Sequence, residues 1–225
     1  MSNKDKTAAL EALKDEVVAL EASPLYTYRQ EHGYLPVLGE GSHDADIMFI
    51  GEAPGESEAK TGRPFCGRSG KLLDEFLEHI NLDRADVYIT NVLKDRPPEN
   101  RDPQTDEIEI YTPFLRRQIS IIQPKVIATL GRFSMEFIAD EYGIELDGTI
   151  TQVRGKIYEI DPGTTSSDPV EESENSHEAG DDGYGAGEDG QTITFIPLFH
   201  PAVALYDGSK RDVLKEDFET LADFT

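Results

Sequence analysis

The chain is nearly without cysteine. Cys66 is its one thiol in 225 residues. That excludes an internal disulfide and a metal centre built from several cysteines. Tryptophan is absent, and positive charge is scarce: 21 lysines and arginines face 45 aspartates and glutamates, for a net charge of −24. No apolar run approaches the roughly 20 residues that a membrane-spanning helix needs. The N-terminal "MSNKDKTAALEALKDEVVALEA" lacks the apolar centre of a secretion signal. These absences point to the cytoplasm and away from membranes. The histidines, His32, His43, His79, His177 and His200, are scattered without the spacing of a helical zinc pair. A metal site is therefore not expected, although carboxylate-held magnesium stays open.

So large an acid surplus suits either disorder or a solubilising surface. Hydrophobic residues make up 37% of the chain and recur with regular periods, which argues against global disorder. Molar salt shortens the screening length to about 3 Å, so a dense acidic shell is tolerable in a halophilic cytoplasm. That is the expected setting. Residues 161–190, "DPGTTSSDPVEESENSHEAGDDGYGAGEDG", hold ten of the acids and no lysine or arginine. This segment cannot bury enough apolar area to offset the entropy of ordering it. It reads as a disordered acidic insert joining two strands within a single domain.

The rest alternates strands and helices. Leu10, Leu13, Val17 and Leu20 recur at helical spacing. "DIMFI" (46–50) reads as a buried parallel strand. Leu72, Leu73, Phe76, Leu77 and Ile80 make one helical stripe. "VYITNVL" (87–93) and "KVIATLG" (125–131) read as further strands. Asp102-Pro103 reads as the start of a helix that Pro113 bends. "GKIYEI" and "TITFIPLF" flank the insert as strands, and 209–223 closes the chain as a helix. The expected fold class is α/β: three layers, α/β/α, around a central, mainly parallel four-stranded sheet. Ligands of such sheets bind beyond the carboxyl ends of the strands. The polar segments 51–70, 91–101 and 200–209 fall there.

Two windows lack acid altogether. Residues 59–73 carry Lys60, Arg63, Arg68 and Lys71; residues 110–135 carry Arg116, Arg117, Lys125 and Arg132. Buried strands exclude acids in any case, but the glycine-rich 51–70 loop is too polar for a core. Contact with a polyanion accounts for it.

The motifs "GEAPGE", "GRPFCGRSGKLL", "ITNVLKDRPPENRDP", "LGRF" and "FHPAVAL" occur in that order. The first matches neither common phosphate-binding glycine pattern. Together they resemble the family 4 uracil-DNA glycosylases, from about Pro24 to the C-terminal helix. The resemblance implies a monofunctional DNA-repair enzyme. It would hydrolyse the N-glycosidic bond of uracil in DNA, release free uracil and leave an abasic site. It also implies roles. Glu52 and His200 match the catalytic positions. Phe65 matches the aromatic against which the flipped base stacks, and Asn91 the residue that reads the uracil edge. Backbone N–H groups near Ala53 and Gly55 face the base. Arg68, Ser69, Arg96 and Arg101 are candidates for flanking phosphates. Val203 and Ala204 lie in the loop that enters the stack as the base leaves. The implied partner is uracil-containing DNA, bound by a monomer, with a sliding clamp left open. Alternatives are a glycosylase for another base, such as hypoxanthine or mismatched thymine, a non-catalytic DNA-binding relative, and a nucleotide-binding protein using "GEAPGE".

The family typically carries an iron–sulfur cluster on four cysteines. By motif alignment their positions hold Leu20, Ser23, Asp95 and Tyr111 here. Cys66 in "PFCG" is no replacement ligand. The chain is therefore expected to have no cluster and no other cofactor, with Cys66 as a packing residue.

Overall fold

A computed structural model describes residues 1–161 and 192–224. Apart from Asp161, the acidic insert lies outside the described residues. The chain runs α1 (Asn3–Val18), α2 (Tyr26–Glu31), β1 (Glu40–Gly41), β2 (Ile47–Gly51), α3 (Glu56–Thr61), α4 (Arg68–His79), β3 (Tyr88–Asn91), α5 (Thr105–Ile122), β4 (Val126–Leu130), α6 (Arg132–Glu141), α7 (Ile150–Val153), β5 (Tyr158–Ile160), β6 (Ile193–Leu198), α8 (Val203–Tyr206) and α9 (Lys210–Glu219).

The strands form one sheet in the order β1-β3-β2-β4-β6-β5. β3, β2, β4 and β6 are parallel; β1 and β5 join antiparallel at the two edges. The sheet thus has six strands, not the four expected. The expectation holds for the parallel centre, whose apolar runs carry the pattern. The edges are two and three residues long, too short to show a period and short enough to discourage pairing with another chain.

Side-chain alternation divides the core into two layers. Met48 and Ile50 of β2 and Ile127 of β4 pack with α1, α5 and α6. Ile47, Phe49, Val126, Ala128 and Leu130 pack on the other face with α4 and α9. The predicted stripe Leu72, Leu73, Phe76 and Leu77 is the buried face of α4. Each such buried side chain contributes about 1.5–3 kcal/mol. α5 begins at Thr105, beyond the Asp102-Pro103 start. There the Glu107 carboxylate reaches back to accept from the Gln104 N–H at 2.9 Å. The helix runs through exposed Pro113 as one element. Among the described residues no helix is long and apolar enough to cross a membrane.

Candidate active site

β2 and β3 end side by side, with Gly51 opposite Asn91. The pairing continues past both strands. Val92 N–H donates to the Gly51 carbonyl at 2.9 Å, and Leu93 N–H to that of Glu52 at 3.0 Å. The Glu52 backbone is thereby fixed to the segment that follows Asn91. Gly51 has a steric cause: a side chain there would overlap the Asn91 amide and reach within 2.8 Å of the Phe65 ring. Asn91 is 2% exposed, yet its side-chain amide has no hydrogen-bond partner among the described residues. Among the described residues the fully buried side-chain atoms without a partner are Thr129 Oγ1 and Asp217 Oδ2; the Asn91 amide is not one of them, so it can be reached from the strand ends. It is an opening for a ligand with both a donor and an acceptor.

Phe65 is also held at a cost. Its φ is +45°, in the left-handed region that bulky residues avoid. Its surroundings enforce this. Arg84 donates to the Pro64 carbonyl at 2.7 Å. A Glu58 oxygen accepts from the N–H groups of Cys66 and Gly67 at 3.1 and 3.0 Å. The backbone of Gly70 lies so close that any side chain on it would strike the Phe65 carbonyl. Strain held from three sides is typical of functional loops. The Phe65 ring lies 5.6 Å from the His200 ring, centroid to centroid, at 33°.

His200 follows β6. Its Nδ1 accepts from the Ala202 N–H at 3.1 Å. A backbone N–H can only donate, so the proton of the neutral ring sits on Nε2. Burial pushes the imidazole pKa down to about 4, against the opposing charge of Glu58. Near neutral pH His200 is thus an uncharged Nε2–H donor. Gly131, directly after β4, makes room for it. Its φ is +103°, and a side chain there would sit 3.2 Å from the His200 Cβ.

Glu52 is half-buried beyond the end of β2. Burial raises its carboxyl above the usual range, as does the charge of Asp102; Arg132 pulls the other way. The strand ends therefore gather a carboxylate, an unmatched amide, a ring N–H and an aromatic ring. Such a set can grip a planar heterocycle by its face and edges while a carboxylate meets what is attached to it.

The sequence profile described as the Uracil DNA glycosylase superfamily matches residues 38–222. This chain belongs to the uracil DNA glycosylase superfamily. It is 42% identical over 214 residues to the Type-4 uracil-DNA glycosylase of Sulfurisphaera tokodaii, covering 95% of this chain and 83% of the relative. It is 39% identical to the Type-4 uracil-DNA glycosylase of Saccharolobus solfataricus over 93% of this chain and 83% of the relative. To that of Archaeoglobus fulgidus it is 38% identical over 87% and 84%.

Around the centre of this uracil-DNA glycosylase superfamily member the remaining candidates differ. The N–H groups of Ala53 and Gly55 have no acceptor among the described residues. Exposed Arg68 and half-buried Ser69 open α4. Arg96 is tied to neutral partners, the Tyr34 hydroxyl and Asn100 side chain, both at 2.8 Å. Arg101 is paired through two nitrogens with fully buried Glu107, so its charge already has a partner. Val203 and Ala204 begin α8, half-buried, and Ala204 packs on the core. The loop's outermost group is Tyr206, 89% exposed.

Three contributors had no role assigned from the sequence: Gly51, Glu58 and Gly131. Glu58 pins the Phe65 loop through the N–H groups of Cys66 and Gly67. Gly51 and Gly131 carried a signal, a glycine ending a buried strand, but what fills the space comes from elsewhere in the chain.

Proposed function

We propose that the residues at these strand ends excise uracil from DNA with a definite division of labour. The enzyme hydrolyses the bond between uracil N1 and deoxyribose C1′. The target nucleotide leaves the helix to reach the site, and its base stacks on the Phe65 ring. The Asn91 amide, one donor and one acceptor, matches uracil O4 and N3–H. Cytosine presents the reverse pattern there and is rejected. As the bond breaks, its electron pair leaves with uracil, and negative charge gathers at O2. His200 Nε2–H donates to that oxygen. Its low pKa keeps the ring neutral, so it stabilises the leaving anion by hydrogen bonding without itself being an acid. The sugar becomes oxocarbenium-like. The Glu52 carboxylate faces that positive charge and accepts a hydrogen bond from the water that adds to C1′; the proton which that water loses neutralises the uracil anion, giving free uracil and an abasic site. Such groups are each worth about 10²–10³ in rate.

The observation that carries this reading is the Asn91 amide, reachable at the strand ends beside the Phe65 ring and without a protein partner among the described residues. The acid surplus further supports a halophilic cytoplasm as the working environment. Single- and double-stranded oligonucleotides with one uracil, incubated with the protein in molar KCl and then treated with alkali, test both points. Strand breaks at uracil, lost in Glu52→Gln, are expected. Tight binding without breaks would instead make the chain a non-catalytic relative. Activity confined to dilute buffer would remove the halophilic assignment.

A further inference from the structure

Four residues beyond Asn91 lies a second buried polar cluster, and its groups face one another. Arg29 and Asp95 are 3% and 1% exposed. Arg29 donates to both Asp95 oxygens, at 3.2 and 3.0 Å. It also donates to the carbonyls of Val17 and Val18 at the end of α1, at 3.0 and 2.6 Å. From α5, the Tyr111 hydroxyl donates to Asp95 at 2.5 Å. Ser23 Oγ lies 2.7 Å from that hydroxyl and accepts from the Leu25 N–H at 3.1 Å. The directions are forced. Tyr111 gives its proton to the carboxylate, so Ser23 must donate to Tyr111. The relay runs Leu25 to Ser23 to Tyr111 to Asp95 and meets Arg29 there.

Three of these residues stand where the family resemblance places ligands of an iron–sulfur cluster, and Leu20 takes the fourth place. They do not fit that group. Leu20 offers no donor atom, and Ser23, Asp95 and Tyr111 are hydrogen-bonded to one another. The one thiol, Cys66, lies elsewhere, with its Sγ 3.2 Å from Thr61 Oγ1. We propose that Arg29, Asp95, Tyr111 and Ser23 form an iron-free clamp that joins the α1–α2 segment to α5 and to the chain after β3, and so positions Asn91. The link is short. Lys94, next to Asp95, is fully buried. Its Nζ donates to the Asn91 carbonyl at 2.6 Å and to Thr90 Oγ1 at 2.9 Å. Its own carbonyl accepts from the Val37 N–H at 2.7 Å. Arg96 follows on the other side of Asp95, held by Tyr34. The clamp thus fixes the stretch between the base-reading amide and an arginine on the loop beyond it. Its four members are positioning residues.

The kinetic part of this inference rests on the uracil-excision reading; the structural part does not. The test measures iron content, melting temperature, excision kinetics and inhibition by free uracil, with and without a chelator. It compares wild type with Tyr111→Phe, Asp95→Asn and Arg29→Gln/Asp95→Asn, each assayed where circular dichroism shows it folded. Iron-free wild type, indifferent to chelator, is expected. Tyr111→Phe should melt about 2–4 °C lower per kcal/mol lost, with weaker uracil inhibition and KM raised about threefold to tenfold at nearly unchanged kcat. Asp95→Asn should melt lower still, and adding Arg29→Gln should restore part of the loss, because no unpaired charge then remains buried. If Asp95→Asn does not fold, Tyr111→Phe and recovery in the double variant still decide. About four irons per chain would overturn the clamp. So would a Tyr111→Phe variant with lowered stability but unchanged KM and uracil inhibition, or a double variant no better than Asp95→Asn. If wild type fails to excise uracil, the functional reading falls, while iron content and the recovery still judge the clamp.

Discussion

Asn91 and Asp95 lie on one short stretch and are 2% and 1% exposed, yet they are opposites. The Asp95 carboxylate receives Tyr111 and a doubly bonded Arg29. The Asn91 amide receives nothing from the protein among the described residues. Burial does not separate the two, and neither does a missing partner alone, since Thr129 Oγ1 and Asp217 Oδ2 are also buried without one; Asn91 differs in that its amide can be reached at the strand ends, beside the Phe65 ring. A satisfied network stabilises the fold. A reachable amide without a protein partner is free to pair with a ligand.

The sharpest way to break this contrast is at Glu52. Glu52→Gln should lower kcat about 10²–10³-fold while leaving the melting temperature unchanged or higher, since a half-buried carboxyl loses its charge. Single-turnover uracil release measures the first and calorimetry the second. Asp95→Asn should do the reverse, costing about 3–5 kcal/mol of stability because Arg29 stays buried without its counter-charge. Urea denaturation reads that loss, and a midpoint near wild type would contradict it.

The pH profile sharpens the site half. In the proposed division of labour Glu52 accepts from the water only as a carboxylate, so the rate should fall as pH drops through its raised pKa. That fall begins at higher pH than for an ordinary glutamate. Asp102→Asn should shift the acid limb down and Arg132→Gln should shift it up, by the signs of the charges removed. His200, near 4, should add no limb above that. A limb that ignores both substitutions would show that another group controls the rate.

The smallest effects concern DNA grip. Arg68→Ala should reduce the salt slope of DNA binding by about one, whereas Arg117→Ala should leave it unchanged, because Arg117 is paired with Glu16. Tyr206→Ala should weaken binding about fivefold to tenfold with little change in slope, as expected for the loss of a stacking contact of about 1 kcal/mol, the low end for a base on an aromatic ring. Fluorescence anisotropy against KCl distinguishes the two patterns.

Much of the fold was legible because buried parallel strands are continuous apolar runs and α4 carries one clear stripe. The edge strands were not, being held by their neighbours' register. Of the candidate site, Glu52, Phe65, Asn91 and His200 were named from motifs, and the fold brings them to the same strand ends. The cause of the acid-free windows was legible only in part. In window 110–135, Arg116, Arg117, Lys125 and Arg132 pair with Glu141, Glu16, Asp46 and Glu136. That window lacks acid because its strand and helix faces are buried, and its cations serve acids from elsewhere. In window 59–73, Lys60 and Arg63 pair with Glu56 and Glu40. Arg68 and Lys71 have no carboxylate within ion-pair distance among the described residues. Of these two windows, only the start of α4 supports a polyanion surface. Glu58 and Lys94 were missed because their roles depend on approach through space, which no local pattern records.

The contrast between open and satisfied buried groups is tested most directly by Asn91→Ala, with single-turnover uracil release and melting temperature measured on the same sample. The account predicts a loss of rate near 10²-fold with the melting temperature held or raised. A rate that falls only in step with stability, or does not fall, would contradict it.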